Sequence, residues 1–503
     1  MHKVRRAFFM AMLEQHLGIA INFALIAIMS RLLSPAEVGF AVIGYGVTAV
    51  IFAFREFVSS DFLIQLDVVE RDDINTSLTL LLLVSGILGI VLYLCGPYLA
   101  LFYHQPGLQH YLVLAIAAVM AESLGMPAFS MLRRRLAFGT IARVRTIGLV
   151  VMAVVTIFAA RNGWGFVSFA LGLLVGNSVA SALAAYADPA QRSARLSLKS
   201  WRRMAEFGRY RGAATIVDKL YESLPQLVLG FAMTPTAVAI YNRANTVCSI
   251  PDRIFLSAIF SFAFPALAAE VREGGDVRRS YLRALSYITV LYWPSLIMVA
   301  ILADPIVRLA LGDQWLAAVP ITRILALASI FWFPMVLTTP LLIALNANRE
   351  AFLGNFVCRS VSAIVLCSAS FFGLTAVALS QFVTLPFQML VAFYLVRRHA
   401  HFKLPDLFAA IGPSASVTFA AIAGPLAISA WMGFRFDYSL AQAGGAVLLS
   451  VTGWAACLFL LRHPLLSEIR STLDAFTGRL RKVRKPAAPA SIPDTVVSAA
   501  VEP

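Results

Sequence analysis

The sequence predicts an all-α polytopic membrane protein, with about fourteen transmembrane helices in two pseudo-symmetric lobes. Three observations carry that prediction. Charged residues make up 13% of the 503-residue chain and hydrophobic ones 60%, where soluble domains carry about 25% charged residues. Apolar runs of about 20 residues recur along most of the chain, the length at which a helix crosses a hydrocarbon core. Lys and Arg alternate in density from one connection to the next, as the positive-inside rule requires of a multi-pass protein.

The spans run in order over 8–32, 38–57, 78–102, 108–130, 140–160, 164–187, 211–233, 236–260, 284–303, 319–345, 352–372, 374–396, 408–432 and 439–461. The first holds Glu14, Gln15, His16 and Asn22 and lacks a small-x-small cleavage site, so it reads as a span and not a cleavable signal. The second and eighth follow short turns, "SPAE" and "TPTA". A basic linker at 188–210 divides an N-terminal lobe, 1–187, from a C-terminal lobe, 211–396, each with about six helices. Two additional spans occupy 397–461. In the tail, 462–503, Leu465, Leu466, Ile469, Leu473, Phe476, Leu480 and Val483 recur at three- and four-residue spacing among Arg479, Arg481, Lys482, Arg484 and Lys485. That pattern suits a helix lying on a lipid surface, followed by a disordered Pro/Ala-rich end from Pro486.

With the N-terminus cytoplasmic, 32 of the 41 Lys and Arg residues fall in inside connections, and four, Arg31, Arg161, Arg308 and Arg435, in outside ones. Both termini are therefore expected in the cytoplasm. The net charge of +15 reads as an insertion and headgroup signal, not as nucleic-acid binding. The five cysteines form no CxxC pair, the seven histidines no metal constellation, and no glycine-rich phosphate loop is present. No cofactor or metal is expected.

The halves are weakly similar. "SPAEVGFAVIGYGV" (34–47) aligns without gaps with "TPTAVAIYNRANTV" (234–247), and "FGTIARVRTIGLVV" (138–151) with "FLGNFVCRSVSAIV" (352–365). Parallel repeats of this kind place a substrate site between the halves, near the bilayer midplane.

Charge at the bilayer centre costs roughly 2.5–3.5 kcal/mol on insertion scales, so "TIVDKLYESLPQ" (215–226) needs a polar neighbour. In a helix entering near Arg211, Asp218 lies about 10 Å deep and Glu222 about 16 Å. Asp218, Lys219, Glu222 and Gln226 share one face, with Leu220, Leu224 and Leu227 mostly on another. The next span carries Asn242, Asn245, Ser249 and Asp252, with Arg243 and Arg253 adjoining. Asn22 sits 200 residues before Glu222, with Glu14 two turns earlier. These faces suit a central water-filled cavity; the alternative is pairing with charges on neighbouring helices. Arg145 and Arg359, at matched repeat positions, could snorkel to headgroups or serve function. Arg31 could meet a lipid phosphate or anchor its helix, and Glu122 could be a protonation site or a hydrogen-bond partner.

"SRLLSPAEVGFAVI" (30–43), "AIYNRANTVCSIP" (239–251), "FAFPALA" (262–268) and "LGDQWLAAVPITRILALA" (311–328) resemble the Wzx-type polysaccharide exporters. These belong to the multidrug/oligosaccharidyl-lipid/polysaccharide (MOP) exporter superfamily. The resemblance covers roughly 1–460 and implies a V-shaped, MATE-like carrier in the bacterial inner membrane. Such a carrier flips undecaprenyl-diphosphate-linked oligosaccharide by alternating access, for capsular or extracellular polysaccharide or O-antigen. Its implied partners are that substrate, membrane lipids and polysaccharide polymerase or export machinery. The "RLLSP" and "LGDQW" blocks fall at span ends and read as architecture.

For that job Lys219, Arg243 and Arg253 are the candidates to meet the diphosphate, because cationic side chains can replace its water shell. Gln226, Asn242 and Asn245 are candidates for the glycan, with Asn22 and Arg31 completing the cavity set. Asp218, Glu222 and Glu122 are candidate ion-coupling sites, since no ATPase motif is present. The rival of the same fold is a multidrug cation antiporter. A polysaccharide polymerase or glycosyltransferase is less favoured, because the outside connections are short, and no enzymatic activity is expected.

Overall fold

The computed structural model describes residues 2–188, 195–256, 267 and 269–468. All regular structure among these residues is helical. The first half holds α1 (His2–Leu32), α2 (Pro35–Ala53), the short α3 (Phe62–Gln65), α4 (Arg71–Phe102), α5 (Gly107–Arg134), α6 (Phe138–Arg161) and α7 (Val167–Ala187). The second half opens with α8 (Trp201–Ala232), α9 (Pro235–Cys248), α10 (Val277–Ile301), α11 (Ala303–Ala310) and α12 (Ala318–Ser329). It continues with α13 (Met335–Ala344), α14 (Asn348–Ser370), α15 (Leu374–Leu379) and α16 (Gln381–Ala400). Two further long helices follow, α17 (Leu404–Trp431) and α18 (Leu440–Leu460).

Among the described residues, twelve helical segments are long and apolar enough to cross a membrane. They coincide with twelve of the fourteen expected spans, and the chain is a multi-pass membrane protein. The other two, the seventh and eighth, are α8 and α9. Both helices form, but the ionic and amide side chains of α8 hold its apolar content below that of its neighbours, and α9 is only 14 residues long. Helix α8 starts at Trp201, ten residues before the expected span and inside the stretch expected to be linker. Helix α9 ends at Cys248, and a π-helical turn, Asp252–Leu256, follows. The rest of the eighth span, "FAFPALA" apart from Leu267, and the basic tail helix beyond Glu468 lie outside the described residues.

The two repeat turns are built alike. Pro35 and Pro235 each start a helix, where a missing N–H costs nothing. Ser34 Oγ accepts from the Glu37 N–H at 3.3 Å while Glu37 accepts from the Ser34 N–H at 2.9 Å, a full capping box. Thr234 makes only the first half of that arrangement, accepting from Ala237 N–H at 3.3 Å. These turns bring α2 and α9 into backbone contact: a Cβ on Gly39 would lie 1.9 Å from the Pro235 carbonyl oxygen. Helix α8 then runs beside α2, with Gly230 against Ile43 and Gly46 against Gln226. Further along, Gly212 and Gly208 of α8 lie against Phe57, just beyond α2.

One apolar core crosses between the halves, from Leu25, Met29 and Ile43 to Leu229, Val238 and Trp315. Large side chains such as Ile90, Leu94, Tyr98 and Leu448 stand outward and exposed, as lipid-facing helices require.

Candidate functional site

The end of the bundle that carries the two repeat turns is closed by a clamp. Trp315 is fully buried, and its indole N–H donates to the Ser30 carbonyl at 2.7 Å. Gln314 donates to the same carbonyl and to that of Leu33 at 3.1 Å. Arg31 donates back to the Leu309 carbonyl at 2.6 Å. The Trp315 and Gln314 bonds satisfy carbonyls at and just beyond the C-terminus of α1 that have no helical partner. Gly312, at φ +102°, supplies the left-handed-region backbone that turns the chain toward Trp315. The "RLLSP" and "LGDQW" blocks thus hold each other, as their position at span ends suggested.

Arg243 lies beneath this clamp. It is only 5% exposed, and its guanidinium carbon sits 5.5 Å from the Trp315 ring centroid. Its Nε is buried without a hydrogen-bond partner, and none of the described ion pairs includes it. The ring face offsets part of the desolvation of the cation. Arg31 and Arg243, both expected in an open cavity, are therefore placed in the closure of one end. For Arg243 the reason is helical phase: it is about 100° around the helix from Asn242, so one helix cannot turn both to the same side.

The ionic stripe of α8 has a different setting. Lys219 Nζ donates to Glu222 Oε2 at 2.7 Å, with side chains 43% and 57% exposed. Asp218 pairs with Arg359 of α14 at 2.9 Å, and the Arg359 guanidinium lies 4.6 Å from the Tyr221 ring centroid. The exposed Tyr45 of α2 stands within electrostatic reach of Lys219. The stripe therefore borders α14 of the second half through Asp218 and α2 of the first half through Lys219 and Gln226. One turn on, Gln226 Oε1 is buried without a partner beside Gly46. Pro225, inside α8, has no N–H, so the Tyr221 carbonyl loses its helical donor. Asp218 thus pairs with a neighbouring helix, while Lys219 and Glu222 pair with each other and remain accessible.

The remaining candidates spread elsewhere. Arg253 joins His16, Phe23 and Ile26 of α1 in lining a mostly apolar cleft of about 290 Å³. Asn22 donates to the Gly18 carbonyl of its own helix at 2.9 Å. Asn245 is exposed and Asn242 half-buried. Glu122 accepts from both terminal nitrogens of Arg55 at 3.1 Å. It borders a cavity of about 280 Å³ inside the first half, with Asp61, Arg133, Arg145 and Asn177. The candidates fall into separate places, where the helical spacing had suggested a single hollow.

One arrangement went unseen in the sequence. Arg145 pairs with Glu14 at 3.4 Å and lies 5.4 Å from the Phe129 ring centroid. This matches the Arg359–Asp218 pair beside Tyr221, so each half ties its opening helix to the matched arginine. The signal was available: an acid on the first helix of each half, and arginines at matched repeat positions.

Residues 28–320 match the family described as "Polysaccharide biosynthesis protein". The teichuronic acid biosynthesis protein TuaB of Bacillus subtilis (strain 168) is 25% identical over 271 residues, 53% of this chain and 56% of that protein. The lipopolysaccharide biosynthesis protein WzxC of Escherichia coli (strain K12) is 23% identical over 319 residues, 62% of this chain and 64% of that protein. The chain thus matches less than two thirds of the length of either relative. Among solved structures, the lipid II flippase MurJ in its inward closed conformation superposes with a TM-score of 0.73 at 13% identity. That superposition covers 92% of this chain and 99% of that one, which establishes a shared fold.

Proposed function

The chain belongs to the polysaccharide biosynthesis protein family, and we propose on that premise that it flips lipid-linked oligosaccharide across the bacterial inner membrane. The resemblance drawn from the "RLLSP" and "LGDQW" motifs is borne out by that membership. The substrate is an oligosaccharide on a polyprenyl diphosphate, both termini are cytoplasmic, and transport proceeds by alternating access without bond chemistry. The names of the relatives point to envelope polysaccharides, and the fold is that of a lipid-linked precursor flippase.

One observation carries the reading: the repeat-turn end is sealed, while the Lys219–Glu222 pair stays accessible between the halves. A diphosphate entering there would draw Lys219 from Glu222, freeing that carboxylate to take up a cation. Asp218 would exchange Arg359 in the same way, and Glu122 would do so with Arg55 in the first half. Gln226, Asn242, Asn245 and Asn22 supply amide partners for the glycan, and Arg253 stands at a cleft able to admit the lipid chain. Arg243 reaches the diphosphate only when the Trp315 clamp opens, so it serves the outward-open state. The cationic character of this set disfavours a carrier of cationic drugs.

Reconstitution in vesicles with a fluorescent polyprenyl-diphosphate-linked oligosaccharide tests the reading directly. Protein-dependent exchange of label between leaflets, lowered about tenfold in a Lys219→Ala variant, is the expected result. Absence of any exchange by the intact protein would remove the proposal.

A further inference from the structure

The repeat-turn end carries a second polar cavity, of about 460 Å³, remote from the α8 stripe. Asp304 and Arg308 of α11, Arg323 of α12, and Arg435, Phe436 and Asp437 of the α17–α18 loop line it. The loop is pinned: the Tyr438 hydroxyl donates to the Pro425 carbonyl at 2.8 Å. Tyr438 and Phe436 also pack with Ile301, Leu302 and Ile306.

The charges in this cavity are unequally satisfied. Arg308 takes up both nearby acids, Asp304 at 2.8 Å and Asp313 at 2.7 Å. Arg323 and Arg435 belong to none of the described ion pairs. The Arg323 guanidinium carbon lies 5.3 Å from the Phe436 ring centroid, and one terminal nitrogen makes a long bond of 3.4 Å to the Phe436 carbonyl. Its Nε is buried without any partner, a state that native proteins seldom leave without a use. Two cations therefore face one unpaired carboxylate, Asp437.

The location sharpens the point. Connections at this end hold Arg31, Arg161, Arg308 and Arg435, against 32 Lys and Arg residues in the connections at the other end. Basic residues are selected away from this side of a membrane protein. Arg323 stands about one turn inside its span, within snorkelling reach of the head groups. Two of the four nevertheless converge on one cavity with the span-embedded Arg323.

We propose that this cavity is a phosphate-binding site for a lipid head group, built by Arg323 and Arg435, with Asp437 accepting from a hydroxyl or ammonium beside the phosphate. The arginine fork matches two phosphate oxygens at once. The cavity lies at the turn between α11 and α12, at the start of the tenth expected span, where lipid head groups are expected to stand. The phosphate can come from a polyprenyl diphosphate leaving the carrier or from a resident phospholipid. The first source rests on the flipping reading and the second does not, and binding to either can be measured on a chain that transports nothing.

The test uses the full-length protein in maltoside micelles, with inorganic pyrophosphate, a polyprenyl diphosphate and phosphatidylglycerol as separate probes. Binding is read as the concentration-dependent rise in melting temperature. The expected result is affinity for at least one probe that becomes about tenfold weaker in Arg323→Gln and in Arg435→Gln. Arg161→Gln, at the same end but outside the cavity, keeps the wild-type affinity. Preference for the polyprenyl diphosphate identifies departing substrate, and preference for phosphatidylglycerol identifies a bilayer lipid. If Arg323→Gln does not fold, the exposed Arg435→Gln decides alone. Equal affinities of wild type and Arg435→Gln for all three probes, or an equal loss in Arg161→Gln, overturns the proposal.

Discussion

Arg243 and Lys219 are both cations on adjoining helices, and the fold holds them in opposite ways. Arg243 is sealed at the clamp against the Trp315 ring, with no carboxylate among its described contacts. Lys219 is half-exposed and holds Glu222 one turn away. A π face and tight packing make an environment that is slow to exchange. An exposed ion pair is worth about 0–1 kcal/mol, so an incoming phosphate can replace Glu222 at little cost. The clamp therefore reads as structure that must break as a unit, and the α8 stripe as a surface that exchanges partners freely.

The largest effect should come from breaking the clamp. Trp315→Ala removes a fully buried indole and its bond to Ser30, at a cost of about 3–5 kcal/mol. Thermal denaturation should show a large fall in melting temperature; a near-normal value would show that the clamp does not hold this end. Next in size is Gly39→Ala. Its Cβ would stand 1.9 Å from the Pro235 carbonyl oxygen, and because backbone must move, about 1–3 kcal/mol is lost. The yield of monodisperse protein on gel filtration reads that loss.

A matched pair of substitutions sharpens the contrast between the two cations. Arg243→Met replaces a buried, unpaired charge by an apolar side chain of similar length. Its stability should be unchanged or raised, since burying an uncompensated charge is costly. Lys219→Met should change stability by less than about 1 kcal/mol and lower glycolipid exchange about tenfold. Equal melting-temperature losses in the two variants would erase the distinction.

The smallest effect concerns a third way to bury a titratable group, keeping it neutral. His463, after α18, accepts from the Leu465 N–H at 3.2 Å through Nδ1. Its protonated Nε2 is thereby left facing the Ser286 hydroxyl at 3.0 Å and the Ser414 hydroxyl at 3.3 Å. Burial pushes its pKa below the ordinary histidine value. The unfolded chain therefore takes up the proton first as pH falls. The stability due to neutral His463 is fully present above about pH 6.5 and is lost as pH falls from there toward the depressed folded value. Melting temperature followed from pH 8 to 5 should fall more steeply for wild type than for His463→Gln.

Much of this architecture could be read along the chain. Twelve of the fourteen expected spans coincide with long apolar helices, because a helix crossing lipid must be apolar for about 20 residues whatever packs beside it. The turns at Ser34 and Thr234 were visible as short breaks followed by proline. The α8 stripe was legible too, since Asp218, Lys219 and Glu222 cannot all face acyl chains. What escaped was each charge's partner. Glu122 meets Arg55, and Arg145 meets Glu14, across gaps of 67 and 131 residues. Helical spacing reports which residues share a face, but not which helix that face meets.

The sequence by itself determined the membrane class, the span positions, the repeat and the polar character of α8 and α9. All of these follow from local composition and from a period that needs no partner. Only the tertiary structure decided that Arg243 and Arg31 close one end while Lys219 stays open between the halves. Burial and pairing are set by the neighbour a side chain meets, and the neighbours that seal Arg243 and Arg31 come from segments 72 and 278 residues away.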